Sequence, residues 1–590
     1  MTRSVRRPWI PGLLRLPLFM LQAWLATALM YVIFDSNIHC MSWGPSQVML
    51  ILAEALLLTV PVMALRRHWR VLTLVTLWIV AIFFLANIIY YRYWSNLLPV
   101  DQIFRTASYN SVVFSSGLGM LKASDLWFLV IPVLLTAAYC LLRVWSAPAP
   151  PLRKALGYVG LSMLLWIGAQ GCSLMYSYYY WRHVGNPRPV GELANEQFIR
   201  DPNCSRLIHW NKKELLLYLW HQVRSIAESG HTTLDDGQRA EIAAFLDANS
   251  RMSAASLPDS LFAGNARKNL IVVIAESLNA DALGQILEGR RLTPTIDSLL
   301  ALPGTISATN VVSQISDGRS SDGQFMYNTG LLPLRGQAVA MNFPDNHYSS
   351  LCLAIGYDRP MEVDFVTPGI WNHNLTSRAF HYDRLVHSLQ QDGLTRDSRV
   401  FARTLQEIDS LPRPFMVQSI SMTMHAPFDD SEMPRPEWIA KDSKPGLADY
   451  NMALNAFDTA LGEFITGLRV RGLYDDTVIV VVSDHDIDPV DDDATRHTIL
   501  FMALNTGQTM RIDRTVGQVD VYPTILQIMH RNPAWKGVGT SILNPDNKSA
   551  ATIEGSMKGT SGARADSLKL RAWNISRLMI RGDYFRKCEK

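Results

Sequence analysis

Five long apolar runs occupy the first 176 residues, near 12–34, 47–65, 71–91, 127–146 and 155–176, and they constrain the chain more than anything that follows. A helix needs roughly 17–20 apolar residues to cross a hydrocarbon core, where no backbone amide or carbonyl can go unpaired. Each run reaches or approaches that length, and the second reads as a span even though it carries Glu54 and Pro61. The first run is long for a signal peptide and four more follow it, so it reads as retained. Basic residues set the orientation. Arg3, Arg6, Arg7 and Arg15 precede or open the first run, Arg66, Arg67, His68 and Arg70 separate the second from the third, and Arg143, Arg153 and Lys154 lie around the fourth connection. The alternate segments, 35–46 and 92–126, are poorer in Lys and Arg for their length. The positive-inside rule then puts the N-terminus in the cytoplasm and everything after about residue 177 outside.

Segment 92–126 is too polar to span, and its aromatic and basic residues suit either the membrane interface or an ordinary outer loop. A connector, 177–265, opens with aromatic and then Pro/Gly-rich sequence; 206–229 and 238–248 within it look helical. Charge excludes little except a nucleic-acid partner: 55 Lys+Arg against 52 Asp+Glu leaves +3, with no global basic field. Six cysteines in a chain of this length make no disulfide framework. Cys140 and Cys172 fall in spans, and Cys40, Cys204, Cys352 and Cys588 face the oxidising side, with no Cys/His zinc spacing.

From residue 266 the pattern becomes that of an α/β domain. NLIVVIAES (269–277) is a continuous apolar run closing on an acid, as a strand buried on both faces should be. FMVQSISMTMH (415–425) closes on His425, TVIVVVSDHD (477–486) on Asp484 and His485, and TILFMAL (498–504) supplies a fourth strand. Helical patterns at 293–301 and 447–471 lie between them. This alternation predicts a largely parallel sheet with helices on both faces, and ligands bind such sheets beyond the carboxyl ends of the strands. Glu276, His425, Asp484 and His485 all stand at those ends. Two carboxylates and an imidazole make a mixed O/N site for a divalent cation, which would lower the pKa of a nearby hydroxyl. GRSSDGQF (318–325) offers Ser320 and Ser321, although a Gly/Ser/Asp cluster by itself denotes a turn.

The order of AES (275–277), LTPTIDSL (292–299), GRSSDGQF, His425, GLYDDTVIVVVSDH (472–485) and QVDVYPTIL (518–526) resembles the sulfatase-fold phosphotransferases of the alkaline phosphatase superfamily, above all the lipoteichoic acid synthase group. The resemblance covers nearly the whole chain. It implies a five-span α-helical membrane domain, 1–176, followed by an α/β extracytoplasmic sulfatase-like domain, 266–590, with a largely parallel central sheet. The family nucleophile, a threonine in a Gly-Lys-Thr-Ser-Asp core, falls on Ser320 and its lysine on Arg319. The implied metal ligands are Glu276, Ser320, Asp484 and His485, around one divalent cation, Mn²⁺ in the first instance with Mg²⁺ or Zn²⁺ as alternatives. His425 corresponds to a substrate-contacting histidine, and the family's Trp-Asn-Arg stretch near the headgroup pocket becomes Trp371-Asn372-His373. The acidic run after His485 departs from the family's glycine; Asp486 or His497 could adjust the metal site, but the preferred reading is a solvated acidic loop.

A formylglycine sulfatase needs proline and arginine two and four residues after its modified residue. From Ser320 those positions hold Asp322 and Gln324, and from Ser321 Gly323 and Phe325, which disfavours sulfate-ester chemistry. The expected activity is transfer of a phosphoglycerol-type headgroup from a membrane phospholipid, phosphatidylglycerol by resemblance, to an envelope glycan or lipid acceptor. Phosphoethanolamine transfer by the same fold and a non-catalytic membrane sensor or scaffold are the alternatives.

Overall fold

The structure is a computed structural model that describes residues 12–38, 45–59, 69–94, 97–98, 121–146, 151–183, 189–191, 193–194, 215–220, 222–223, 230–253, 258–365, 370–388, 393–426, 428, 430–440, 445–487, 498–531 and 534–587. The chain divides into two compact units, one of Met1–Ala107 with Ser111–Glu228, the other of Ser229–Lys590 with Ser108–Asn110. The boundary falls within the expected connector.

The first unit is built from the helices Gly12–Asn37, Pro45–Thr59, Trp69–Trp94, Trp127–Leu141 and Leu152–His183. Among the described residues four segments, Pro17–Asn37, Val71–Arg92, Ala123–Leu141 and Leu152–Tyr180, are long and apolar enough to cross a membrane. Of the second expected span the structure describes the helix Pro45–Thr59, and 60–65 lie outside the described residues. So do 99–120 of the 92–126 segment. Aromatic packing joins the helices, with Phe84 stacked on Phe34 at 4.6 Å and meeting Tyr31 and Phe128 edge-on.

Glu54 is fully buried in this apolar unit. Its carboxylate accepts the Tyr31 hydroxyl at 2.8 Å and the amides of Leu215 and Leu216 at 2.7 and 2.5 Å. A carboxylate among apolar helices survives only with such donors, and two of them are backbone amides from the connector. Leu215 and Tyr218 pack into the same core, so part of the connector belongs to the membrane unit. Arg92 and Asp125 form a second buried polar link, paired through two contacts of 2.6 and 2.8 Å.

In the second unit the described strands are β1 (Asn269–Ala275), the hairpin β2 (Ile286–Leu287) and β3 (Arg290–Arg291), β4 (Ile306–Val312), β5 (Met361–Asp364), β6 (Arg384–His387), β7 (Met416–Ile420), β8 (Thr477–Ser483), β9 (Thr498–Leu504), β10 (Met510–Ile512), β11 (Val516–Gly517) and the separate antiparallel pair β12 (Ser549–Ala551) and β13 (Met557–Gly559). Nine of them form one sheet in the order β10-β4-β9-β8-β1-β7-β5-β6, with β11 also on β4. β9 runs antiparallel to β4 and β8; the other pairs are parallel, so the sheet is mostly parallel but mixed.

The continuous apolar run of β1 has a direct cause. Leu270, Val272 and Ile274 enter a core on one face of the sheet, and Ile271, Val273 and Ala275 enter a separate core on the other. Helices Ser320–Thr329, Val521–Ile528 and Ala563–Arg581 cover the first face. Helices Pro294–Leu300, Arg396–Ile408 and Pro445–Val470 cover the second. The expected helices at 293–301 and 447–471 are the first and third of this second group. Cys352 is a buried free thiol, whereas Cys40, Cys204 and Cys588 lie outside the described residues.

Candidate active site

The register of the three central strands brings the site together. Ala275 of β1 pairs with Ser483 of β8, so Glu276 and Asp484 emerge side by side at the carboxyl edge. On the other flank Ile274 pairs with Ile420 of β7, and the Ser421 hydroxyl accepts the Glu276 amide at 2.8 Å. Ser277 turns into the left-handed region at φ 53°, and its amide donates to Asp484 Oδ1 at 2.8 Å. The His485 amide donates to that same oxygen at 2.8 Å. One carboxylate thus ties the ends of two strands.

Ser320 is the first residue of the helix Ser320–Thr329, directly after Arg319, which has a positive φ of 45°. Its Oγ donates to Glu276 Oε2 at 3.0 Å and lies 3.2 Å from His485 Nε2. Ser321 points elsewhere, donating to the Gly318 carbonyl at 2.7 Å. Asp322 is fully buried and accepts the amides of Ser316 and Gly318 at 2.8 and 3.0 Å, which folds the preceding loop under the helix. Burial is the main cause that pushes its carboxyl up to about 8.

Glycine at 323 is a requirement of close approach. A β-carbon there would lie 2.4 Å from the Asp484 carbonyl oxygen, which Gln518 Nε2 already occupies at 2.6 Å. Gly323→Ala must therefore push the helix, and Ser320 with it, away from the end of β8. Displacing a reacting atom by about 1 Å can cost on the order of 100-fold, so turnover should fall by that order, and the overpacking should also lower stability by about 1–3 kcal/mol. Unaltered turnover would mean that the helix can slide without consequence.

Ligand atoms of Glu276, Asp484 and His485 all lie within 4.8 Å of one another, and all three residues are buried. Burial, and then the neighbouring Asp484 charge, raise the Glu276 carboxyl well above its ordinary range. Two carboxylates pressed together out of water call for a cation between them. Burial pushes the His485 imidazole below the usual histidine range, and the Arg319 charge adds to this. His485 Nδ1 faces the Asp486 carbonyl at 2.9 Å. A carbonyl only accepts, so Nδ1 carries the proton and the Nε2 lone pair faces the cluster. The donor set fits a divalent cation.

Family comparisons match both halves of the chain. The Lipoteichoic acid synthase N-terminal domain matches residues 10–179 and the Sulfatase family matches 268–531. This is a lipoteichoic acid synthase-like chain. Lipoteichoic acid synthase 2 of Bacillus subtilis (strain 168) is 22% identical over 477 residues, 75% of this chain and 69% of that protein. The lipoteichoic acid synthase of Staphylococcus saprophyticus is 25% identical over 506 residues, 78% and 73% of the two chains. The lipooligosaccharide phosphoethanolamine transferase A of Neisseria meningitidis, an integral membrane protein, shares the fold with a TM-score of 0.54 over 88% of this chain and 96% of that one, at 13% identity.

Of the residues singled out in the sequence, Glu276, Ser320, Asp484 and His485 meet at one point. Arg319 adjoins them, half-buried. His425 stands half-buried on the same edge of the sheet, in the turn after β7. Its loop is held by Asp397, whose buried carboxylate accepts the amides of Met422 and Thr423 at 2.5 and 3.0 Å. Trp371 is half-buried beyond β5, and His373 is buried between Glu362 and Asp364. Asp486 is described, while His497 lies outside the described residues. Sequence reading missed the supports: Ser277, Asp322, Gly323, Asp397, and Tyr450, whose hydroxyl donates to the Ser277 carbonyl at 3.1 Å. An Asp and a Gly directly after the serine pair were the one visible signal among them.

Proposed function

We propose that this chain is a phosphotransferase anchored in the bacterial cytoplasmic membrane, N-terminus inside and catalytic unit outside. It moves a phosphoglycerol-type headgroup from phosphatidylglycerol to a hydroxyl of an envelope glycan or lipid. The observation that carries this reading is Ser320 Oγ, set 3.0 Å from Glu276 Oε2 and 3.2 Å from His485 Nε2 at the head of its helix. The lipoteichoic acid synthases among the relatives support the reaction class.

A divalent cation held by Glu276, Asp484, His485 and the Ser320 oxygen would supply positive charge that lowers the hydroxyl pKa. Ser320 gives up its hydroxyl proton towards Glu276 Oε2, to which it is hydrogen-bonded, and its Oγ forms a bond to phosphorus as the bond from phosphorus to the diacylglycerol oxygen breaks. The departing alkoxide takes up a proton, for which His425 is the candidate donor. Arg319 is the group to meet the charge on the phosphoryl oxygens, and Trp371 to flank the headgroup. In the second half an acceptor hydroxyl gives its proton to His425, left deprotonated by the first half, as its oxygen attacks phosphorus, and the Ser320 oxygen leaves and takes its proton back from Glu276.

The test compares diacylglycerol release by full-length protein from phosphatidylglycerol and phosphatidylethanolamine vesicles. Preference for phosphatidylglycerol is expected. Preference for phosphatidylethanolamine would instead make the chain a phosphoethanolamine transferase. Release from neither, with the cation bound, would overturn the catalytic reading and leave a membrane sensor or scaffold.

A further inference from the structure

A second buried ionic cluster in the catalytic unit stands on β5, two strands from β1 and so roughly 10 Å away across the sheet. Glu362 and Asp364 are two residues apart on one strand and therefore share a face. The His373 ring lies between them, Nε2 3.2 Å from Glu362 Oε2 and Nδ1 2.9 Å from Asp364 Oδ2. All three residues are at least nine-tenths buried. Carboxylates so placed are tolerated only with a positive partner, and the imidazolium supplies it.

The cluster is joined to the Ser320 helix by an unbroken polar chain. Gln418 on β7 donates from Nε2 to Glu362 Oε1 at 2.6 Å. Its own Oε1 accepts Asn328 Nδ2 at 3.1 Å, and Asn328 Oδ1 accepts the Tyr382 hydroxyl at 2.9 Å. Asn328 lies on the helix that Ser320 opens. At the other end, His373 directly follows Trp371 and Asn372, with φ of 54° and 51°. Two consecutive side-chain-bearing residues in the left-handed region are strained by about 1 kcal/mol or more each, and persist only where their surroundings hold them. The Asn372 side chain donates to the Ala340 carbonyl at 3.0 Å. His373, the next residue in the chain, ties the C-terminal side of the turn to β5 through its two carboxylate contacts.

We propose that His373 is a positioning residue, clamped between Glu362 and Asp364 so that it fixes the strained Trp371–Asn372 turn and couples it to the Ser320 helix, without itself touching the headgroup. The consequence for substrate rests on the reading that Trp371 flanks that headgroup. The clamp depends on the charge of His373. The Glu362 and Asp364 carboxylates outweigh burial and raise its imidazole well above the usual histidine range, and the Glu362 charge also acts on the buried Cys352 and Tyr382. A histidine with a raised folded-state pKa contributes its full stability below the ordinary value of about 6.5, and loses it as pH rises through the folded value. The turn should therefore be held at neutral pH and released on the alkaline side.

The test uses the full-length protein and two readouts: hydrogen exchange across 370–379, and KM and kcat for donor vesicles. In His373→Ala, protection should fall roughly tenfold or more. KM should rise about tenfold with kcat changed less than about threefold. The variant Glu362→Gln/Asp364→Asn/His373→Gln removes the buried charges together, and should regain both protection and KM and lose the alkaline release. Unchanged protection in His373→Ala would overturn the clamp. Restored protection with KM still raised in the triple variant would place His373 on the headgroup. If the wild-type protein turns over no donor, the headgroup reading fails, while the exchange data still decide the clamp.

Discussion

Ser320→Ala is expected to lower headgroup release on the order of 10⁴-fold or more, because it removes the atom that forms the new bond to phosphorus. The domain should remain folded. Ser320 is only half-buried, and its hydroxyl makes one hydrogen bond to Glu276. Ser320→Thr keeps a hydroxyl in place and should stay within reach of wild type. Ser321→Ala breaks a single bond to the Gly318 carbonyl and should cost about 1 kcal/mol of stability, with turnover changed only a few-fold. Incubation with donor in the absence of acceptor should leave a phospho-headgroup adduct, which tandem mass spectrometry of the 314–335 peptide would locate. An adduct on Ser321, or full activity without the Ser320 hydroxyl, would reject the assignment.

What the sequence displayed and what it concealed divide along physical lines. β1, β7, β8 and β9 were legible because buried central strands need apolar residues on both faces. Glu276, His425, Asp484 and His485 were legible as the places where those runs end in acid or histidine, whereas Ser320 stood out only through the family resemblance. β5 and β6, at four residues each, are too short for a pattern, and β4 (ISATNVV) has polar positions that blur it. The antiparallel β9 has the same composition as its parallel neighbours, because direction is set by connectivity and not by burial.

Long-range polar partners were concealed for another reason. Glu54 reads as a blemish in an apolar run until the amides of Leu215 and Leu216, more than 160 positions on, are seen to meet it. Gly323 reads as a turn residue until Asp484 and Gln518 are found against it. His373 reads as a departure from the family's arginine, and only the register of β5 reveals the two carboxylates that hold it. Such contacts depend on which loops converge, and no local pattern records that.

Removing the cation should abolish turnover, and Mn²⁺ or Mg²⁺ should restore it, but the more discriminating expectation concerns stability and its pH dependence. Glu276 has a folded-state carboxyl raised well above its unfolded value by burial and by Asp484. An acid with a raised pKa binds its proton more tightly when folded, so the metal-free protein loses stability as pH rises through that interval. A cation at Glu276, Asp484 and His485 reverses the sign, because it binds their deprotonated forms and competes with the proton. Cation binding at about 100 times its Kd adds roughly 2.7 kcal/mol of stability. The rise in melting temperature on adding Mn²⁺ to the chelator-treated, full-length protein should therefore be several degrees near pH 8 and shrink towards pH 5. Asp484→Asn and His485→Ala should lose most of that rise and nearly all turnover. Binding of the cation should release protons, measurable in weakly buffered solution. A rise of the same size at every pH would locate the cation elsewhere, and full activity in rigorously metal-free protein would remove it from the reaction.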